Sequence, residues 1–222
     1  MKSKTKGKLA IFDTFKTKEK DLTGEAKRQR AIITILGSNV NPAERTRTGI
    51  SQKIAKKQDI AWKNIYSGIF RDLDEILLPM KIAEEDGRLP LKRGPKVLQE
   101  KGIPYYHLTK KGILIGLAIN GVENLSPQLE EFFSKSDSKE KEFEKILMKL
   151  TITSPNFTYS IFQKYVKAFC EDRIDELLPL DLSKLQDILD ENLIIQKEIV
   201  LAFGKLSNQE KKEATIFLEK IS

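Results

Sequence analysis

Between Ile103 and Gly121 the chain changes its period, and that change restricts the fold more than any other feature of the 222 residues. Ile103-Pro104-Tyr105-Tyr106-His107-Leu108 is rich in aromatic and branched residues and predicts an extended strand. Thr109 follows with a hydroxyl suited to cap a helix. The helix it starts, 110–120, is nearly all apolar and closes at Asn120-Gly121, residues that accept a left-handed turn. The run Pro104–Gly112 therefore predicts the returning strand of a hairpin that feeds directly into a packing helix.

Upstream, apolar residues recur at helical spacing. Ala31, Ile32, Ile35 and Leu36 mark a first helix over 25–37, ended by Gly37-Ser38-Asn39. A loop from Asn41-Pro42 to Thr48 precedes a short basic helix over 49–57, with Thr48 or Ser51 as its N-cap. Ile65, Ile69, Leu73 and Ile76 give a third helix over 61–77, stopped by Pro79. Met80–Glu84 is short enough for a strand, and 86–96, with two prolines and two glycines, reads as an exposed basic loop between strands. The order is helix, helix, helix, strand, basic loop, strand, helix.

Beyond Pro127 the pattern is amphipathic helix throughout, with stripes at Leu129–Phe133, Phe143–Leu150, 157–178, 182–189, 193–203 and 207–221. The expected fold class is mainly α with a small β-hairpin. Three regions follow: a basic flexible arm at 1–24, a domain at 25–122, and a C-terminal helical bundle at 123–222.

Charge divides the same way. Residues 1–120 hold 25 Lys+Arg against 13 Asp+Glu, net +12; residues 121–222 hold 14 against 19, net −5; the sum is the overall +7. Clustered cations in one half suggest a polyanion partner. The longest apolar run, Ile113–Ile119, is far short of the roughly 20 residues of a spanning helix. Only Leu9–Phe12 follows the basic start before Asp13, too little for a secretory leader. A cytoplasmic protein is expected, without a membrane partner, and the single Cys170 fits a reducing compartment.

The stretch Ile54-Ala55 through Ile65-Tyr66-Ser67-Gly68-Ile69-Phe70-Arg71-Asp72-Leu73, closed by Tyr106-x-Leu108-Thr109-x-x-Gly112, resembles prokaryotic, archaeal-type winged helix-turn-helix transcriptional regulators, PadR-like in the closing strand. The resemblance covers about 25–120. Two departures stand out: no glycine separates the third helix from the next strand, and the wing is long. It implies that helix 61–77 reads the major groove of double-stranded DNA with Lys63, Asn64, Ser67 and Arg71 outward. Arginine and lysine donate to guanine, and asparagine pairs with adenine. The 86–102 wing, with Arg88, Lys92, Arg93 and Lys96, contacts backbone or minor groove. Lys53 and Lys57, with Lys56, Arg45 and Arg47, face phosphates or solvent, and Trp62 either packs or contacts the backbone. The resemblance also implies a homodimer joined through the C-terminal helices.

An enzyme is not expected. His107 is the sole histidine, and it has no cysteine cluster of metal-ligand spacing around it. No phosphate-binding glycine loop, dinucleotide fingerprint or nucleophile elbow occurs. Neither metal nor cofactor is expected, and no aromatic platform for single-stranded nucleic acid is evident. The alternative reading is a winged-helix protein-interaction module within a replication, transcription or chromatin assembly.

Overall fold

A computed structural model describes residues 8–38, 41–91, 95–184 and 191–221. Its contacts divide the chain into Met1–Asp181 and Leu182–Ser222. The first unit is mainly helical with two small antiparallel hairpins.

The N-terminal residues differ from the expected arm. Leu9, Ala10 and Ile11 are buried, and β1 (Thr14–Phe15) and β2 (Lys18–Leu22) form a hairpin. The buried segment is fastened to α1 (Gly24–Ser38): the Ala10 amide donates to Gln29 Oε1 at 2.8 Å, and Arg30 donates to the Ile11 carbonyl at 2.6 Å. Apolar side chains with satisfied backbone outweigh the lysines beside them. Residues 1–7 lie outside the described residues.

α2 (Arg47–Gln58) is capped by Thr46, whose hydroxyl accepts from the Gly49 amide at 3.0 Å; neither Thr48 nor Ser51 is the cap. The shift comes from the 3-10 turn Pro42–Arg45, which delivers the chain to Thr46 two residues early. The third helix begins as α3 (Lys63–Arg71) and continues as a π-helical segment, Asp72–Leu77. Turn bonds from Met80 to Ile76 and from Ile82 to Leu77 use up 78–82, so the strand expected at 80–84 starts only at Ala83.

β3 (Ala83–Leu89) pairs with β4 (Ile103–Leu108) from Ala83↔Leu108 to Leu89↔Ile103, with a register shift between Glu85 and Gly87. The span 86–96 is thus not wholly loop. Gly87 stays in the strand because Tyr105 covers it; a Cβ there would lie 2.7 Å from the tyrosine oxygen. A short helix, α4 (Lys96–Lys101), lies within the connection. Thr46 also bridges to Tyr105, joining the start of α2 to this sheet.

α5 (Lys110–Ile119) is the central helix, with Gly112 through Ala118 all buried. It packs against α1, α6 (Leu125–Ser134) and α9 (Pro155–Cys170), while α8 (Glu144–Thr153) closes on α6 and α9. The first unit therefore includes helices beyond residue 122, because an all-apolar α5 must be covered on every side. Four-residue α7 (Ser138–Lys141) carries the buried Glu140, which accepts from Lys110 and from the Leu180 amide at 2.8 Å. The ninth helix stops at Cys170, short of the expected 178, because Asp172 is left-handed at φ 57 and Arg173 turns back to the Ala168 carbonyl. The second unit holds α10 (Glu191–Lys205) and α11 (Asn208–Ile221).

Gly112 lies where a Cβ would be 2.1 Å from the Ile82 carbonyl oxygen. Gly112→Ala should therefore cost at least about 2 kcal/mol, read from the urea midpoint; an unchanged midpoint would refute this close approach. Burial also pushes Tyr106 and Cys170 up to about 12, from ordinary values of 10.0 and 9.0. The unfolded chain loses both protons first, so stability should hold below pH 9 and fall as pH rises from 9 toward 12. Urea midpoints across that range test this.

Candidate nucleic-acid interface

Two arginines set the orientation of α3. Arg28 on α1 reaches Asp72 at 2.8 Å; the carboxylate is 0% exposed and the arginine 22%. Its side chain crosses Gly68, where a Cβ would stand 2.8 Å from the Arg28 Nε, so glycine is needed for the approach. Arg47 on α2 forks onto Asp74 at 2.5 and 3.1 Å and stacks over the rings of Phe70 and Tyr106, each at 5.1 Å. Burial opposes the Arg47 charge, but its hydrogen bond to Asp74 and neighbouring tyrosines leave the pKa raised. Of the three acids that follow α3, Asp72 and Asp74 are thus neutralised from the protein side, and Glu75 is exposed.

With Ile69, Leu73 and Ile76 buried, the opposite face of α3 presents Lys63, Asn64, Ser67, Phe70 and Arg71, all exposed. From Lys63 to Arg71 this strip is about 12 Å long at helical rise. It carries two cations, an amide, a hydroxyl and an aromatic ring. Arg71 has only the Asp72 carboxylate near it, at 3.8 Å, and not Glu75.

The other predicted residues are carried by other elements. Lys57 is exposed on α2, and Lys53 pairs with Glu44 at 2.5 Å. Lys96 is exposed at the start of α4, while Lys92 and Arg93 lie outside the described residues. Arg88 forks onto Glu85 at 2.6 and 2.9 Å, so its charge is already answered within β3. Arg45 and Arg47 have partners within the chain: Arg47 holds Asp74, and Arg45 pairs with Asp86 at 2.8 Å and lies over the Tyr105 ring at 5.1 Å. The base of the hairpin is an ion-paired cluster rather than a basic one, with His107 Nε2 3.0 Å from Glu84.

Phe70 is the residue that sequence reasoning missed. It falls one position off the Ile65, Ile69, Leu73 stripe, about 100° round the helix, which takes it out of the buried line without fixing it on the outer face. Trp62, Tyr66 and Phe70 follow one another at four-residue spacing, an aromatic row where no aromatic platform is expected; Trp62 meets Tyr66 edge-on at 5.6 Å.

Among the described residues no group of three His, Cys, Asp or Glu side chains could hold a metal ion, and no helix is long and apolar enough to cross a membrane. The chain matches no protein-family model, no curated protein and no solved structure.

Asp72→Ala should cost about 2–4 kcal/mol, since it strands Arg28 against a closed wall. Gly68→Ala should cost about 1–3 kcal/mol by pushing the same arginine away. Because both act on one contact, the double variant should lose clearly less than the sum. Additive losses in urea unfolding would separate the two and sink the clamp.

Proposed function

We propose that the chain is a sequence-specific transcriptional regulator of winged helix-turn-helix type that binds double-stranded DNA. In this reading α3 enters the major groove, and the 86–102 connection of the hairpin contacts backbone or minor groove through Lys96, with Lys92 and Arg93. Lys57 meets phosphate at the flank. The protein works in the cytoplasm, as a binder and not as a catalyst.

One observation carries the reading: beside the outward strip Lys63, Asn64, Ser67, Arg71, two of the three neighbouring acids, Asp72 and Asp74, are answered by Arg28 and Arg47, and only Glu75, one turn past Arg71, stays exposed. A helix meant for a phosphate-lined groove must not present carboxylates there. The surplus of +12 over residues 1–120 supports the same partner.

A homodimer completes the reading, with α10 and α11 as the contact. Ile194, Ile195, Ile199, Val200, Leu201, Ile216, Phe217 and Leu218 are each 44–64% exposed. Together they leave apolar surface on α10 and α11 of the kind a second copy would cover. Residues 191–221 carry five acidic and five basic side chains, so pairing meets no net repulsion.

Selection of duplexes from a random library should yield a preferred site, and Arg71→Ala should relax the preference. Lys63→Ala and Arg71→Ala should each flatten the salt dependence of binding by about one unit of slope. Affinity that does not change between low and physiological salt would overturn the proposal. Sedimentation of the full chain at tens of micromolar should give a dimer, reduced to monomer by Ile199→Glu with Phe217→Glu.

A further inference from the structure

Phe70 is 47% exposed and is the one large apolar side chain of α3 left open to solvent. At about 100° per residue it borders the polar strip, about 20° from Lys63 and about 60° from Ser67, with Arg71 and Asn64 further round the helix. Its ring is also held in place, by the Arg47 guanidinium at 5.1 Å, itself fixed by two hydrogen bonds to Asp74. A side chain needed only for the core would turn inward; this one is braced facing out.

A phenyl ring has no donor or acceptor, so it cannot read the hydrogen-bonding edges of bases. The major groove offers one apolar feature in ordinary DNA, the 5-methyl group of thymine. The cations beside Phe70 fit phosphates and guanine, and Asn64, on the same strip, fits adenine bidentately. We infer that Phe70 is a specificity residue that packs on thymine methyl groups, making this face selective for A·T steps in duplex DNA. The inference rests on the reading of α3 as the groove-entering helix.

The test compares two polymers that differ only in that methyl group. The full chain is titrated with poly(dA-dT) and with poly(dA-dU) at fixed salt, following fluorescence anisotropy of end-labelled duplex. The fluorescence of Trp62, the only tryptophan in the protein and two turns from Phe70 on the same helix, reports independently on α3. Wild-type protein should bind the thymine polymer about fourfold more tightly for each methyl buried. Phe70→Ala should bind both polymers alike, near the wild-type affinity for poly(dA-dU), with the salt slope unchanged. Because the ring is half exposed, the variant should fold. Adding 5-methyl groups to the cytosines of poly(dG-dC) should strengthen wild-type binding and leave Phe70→Ala unaffected.

Equal wild-type affinities for the thymine and uracil polymers, or a Phe70→Ala variant that still discriminates, would overturn the inference while leaving duplex binding standing. Absence of binding to every polymer would overturn the duplex reading and this inference with it. Quenching of Trp62 by single-stranded oligo(dT) but not by duplex would reassign the aromatic row to unpaired bases, against the inference.

Discussion

The fold depends on one junction, where β4 ends and α5 begins. Thr109 bonds to both sides of it. Its hydroxyl accepts from the Gly112 amide at 3.2 Å and donates to the Lys81 carbonyl at 2.7 Å, while its own amide donates to the Ile82 carbonyl at 3.1 Å. The residues just before β3 and the first turn of α5 are therefore joined through one side chain and one close backbone approach. With β4 also paired along β3, the hairpin cannot shift without moving the central helix. Tyr106 and Leu108 face inward from β4, so the same junction fixes which strand face meets the core.

A second constraint grows out of the first. Once α5 and α1 are packed, Arg28 projects toward the third helix, and Asp72 is the group that answers it. Asp72 is also where regular α-helix gives way to the π-helical segment. Such insertions are uncommon and often found at functional sites. Here the local change brings Asp72 inward, toward α1, while Asp74 meets Arg47 of α2. The outward strip is consequently left to Lys63, Asn64, Ser67, Phe70 and Arg71. Internal ion pairing thus decides which charges the outer face shows.

Much of this was legible in the sequence, and the remainder was hidden for identifiable reasons. The three early helices, β4, the Thr109 cap and the extent of α5 follow from apolar period and cap chemistry, which are local. Leu9–Ile11 escaped because a short apolar stretch inside a lysine-rich run looks the same whether it is buried or free. β3 escaped beyond residue 86 because Gly87 and Pro90 argue against a central strand, whereas this sheet has only two strands and both are edges. The division at residue 122 placed α6 to α9 in a second domain, because periodicity shows which face of a helix is apolar and not which helix will cover it. Arg45 and Arg47 were assigned outward because their partners, Asp86 and Asp74, are 41 and 27 residues away.

Those arginines change how the basic half should be understood. Each internal pair removes one cation and one anion, so the net charge is untouched and only its placement moves. Residues 1–24 contribute seven lysines against three acids, net +4, and residues 25–120 contribute 18 against 10, net +8; together they give +12. Within 25–120, the pairs Arg28–Asp72, Arg45–Asp86, Arg47–Asp74, Lys53–Glu44 and Arg88–Glu85 consume five cations and five acids. With Lys110 also held by Glu140 from outside this span, the other cations number 12 against 5 acids, a higher proportion of positive charge than composition suggests. Counterion release depends on cations that reach phosphate, not on the total. The clamps at Asp72 and Asp74 therefore do two things at once: they hold the third helix, and they withdraw carboxylates that would otherwise repel a phosphate backbone beside it.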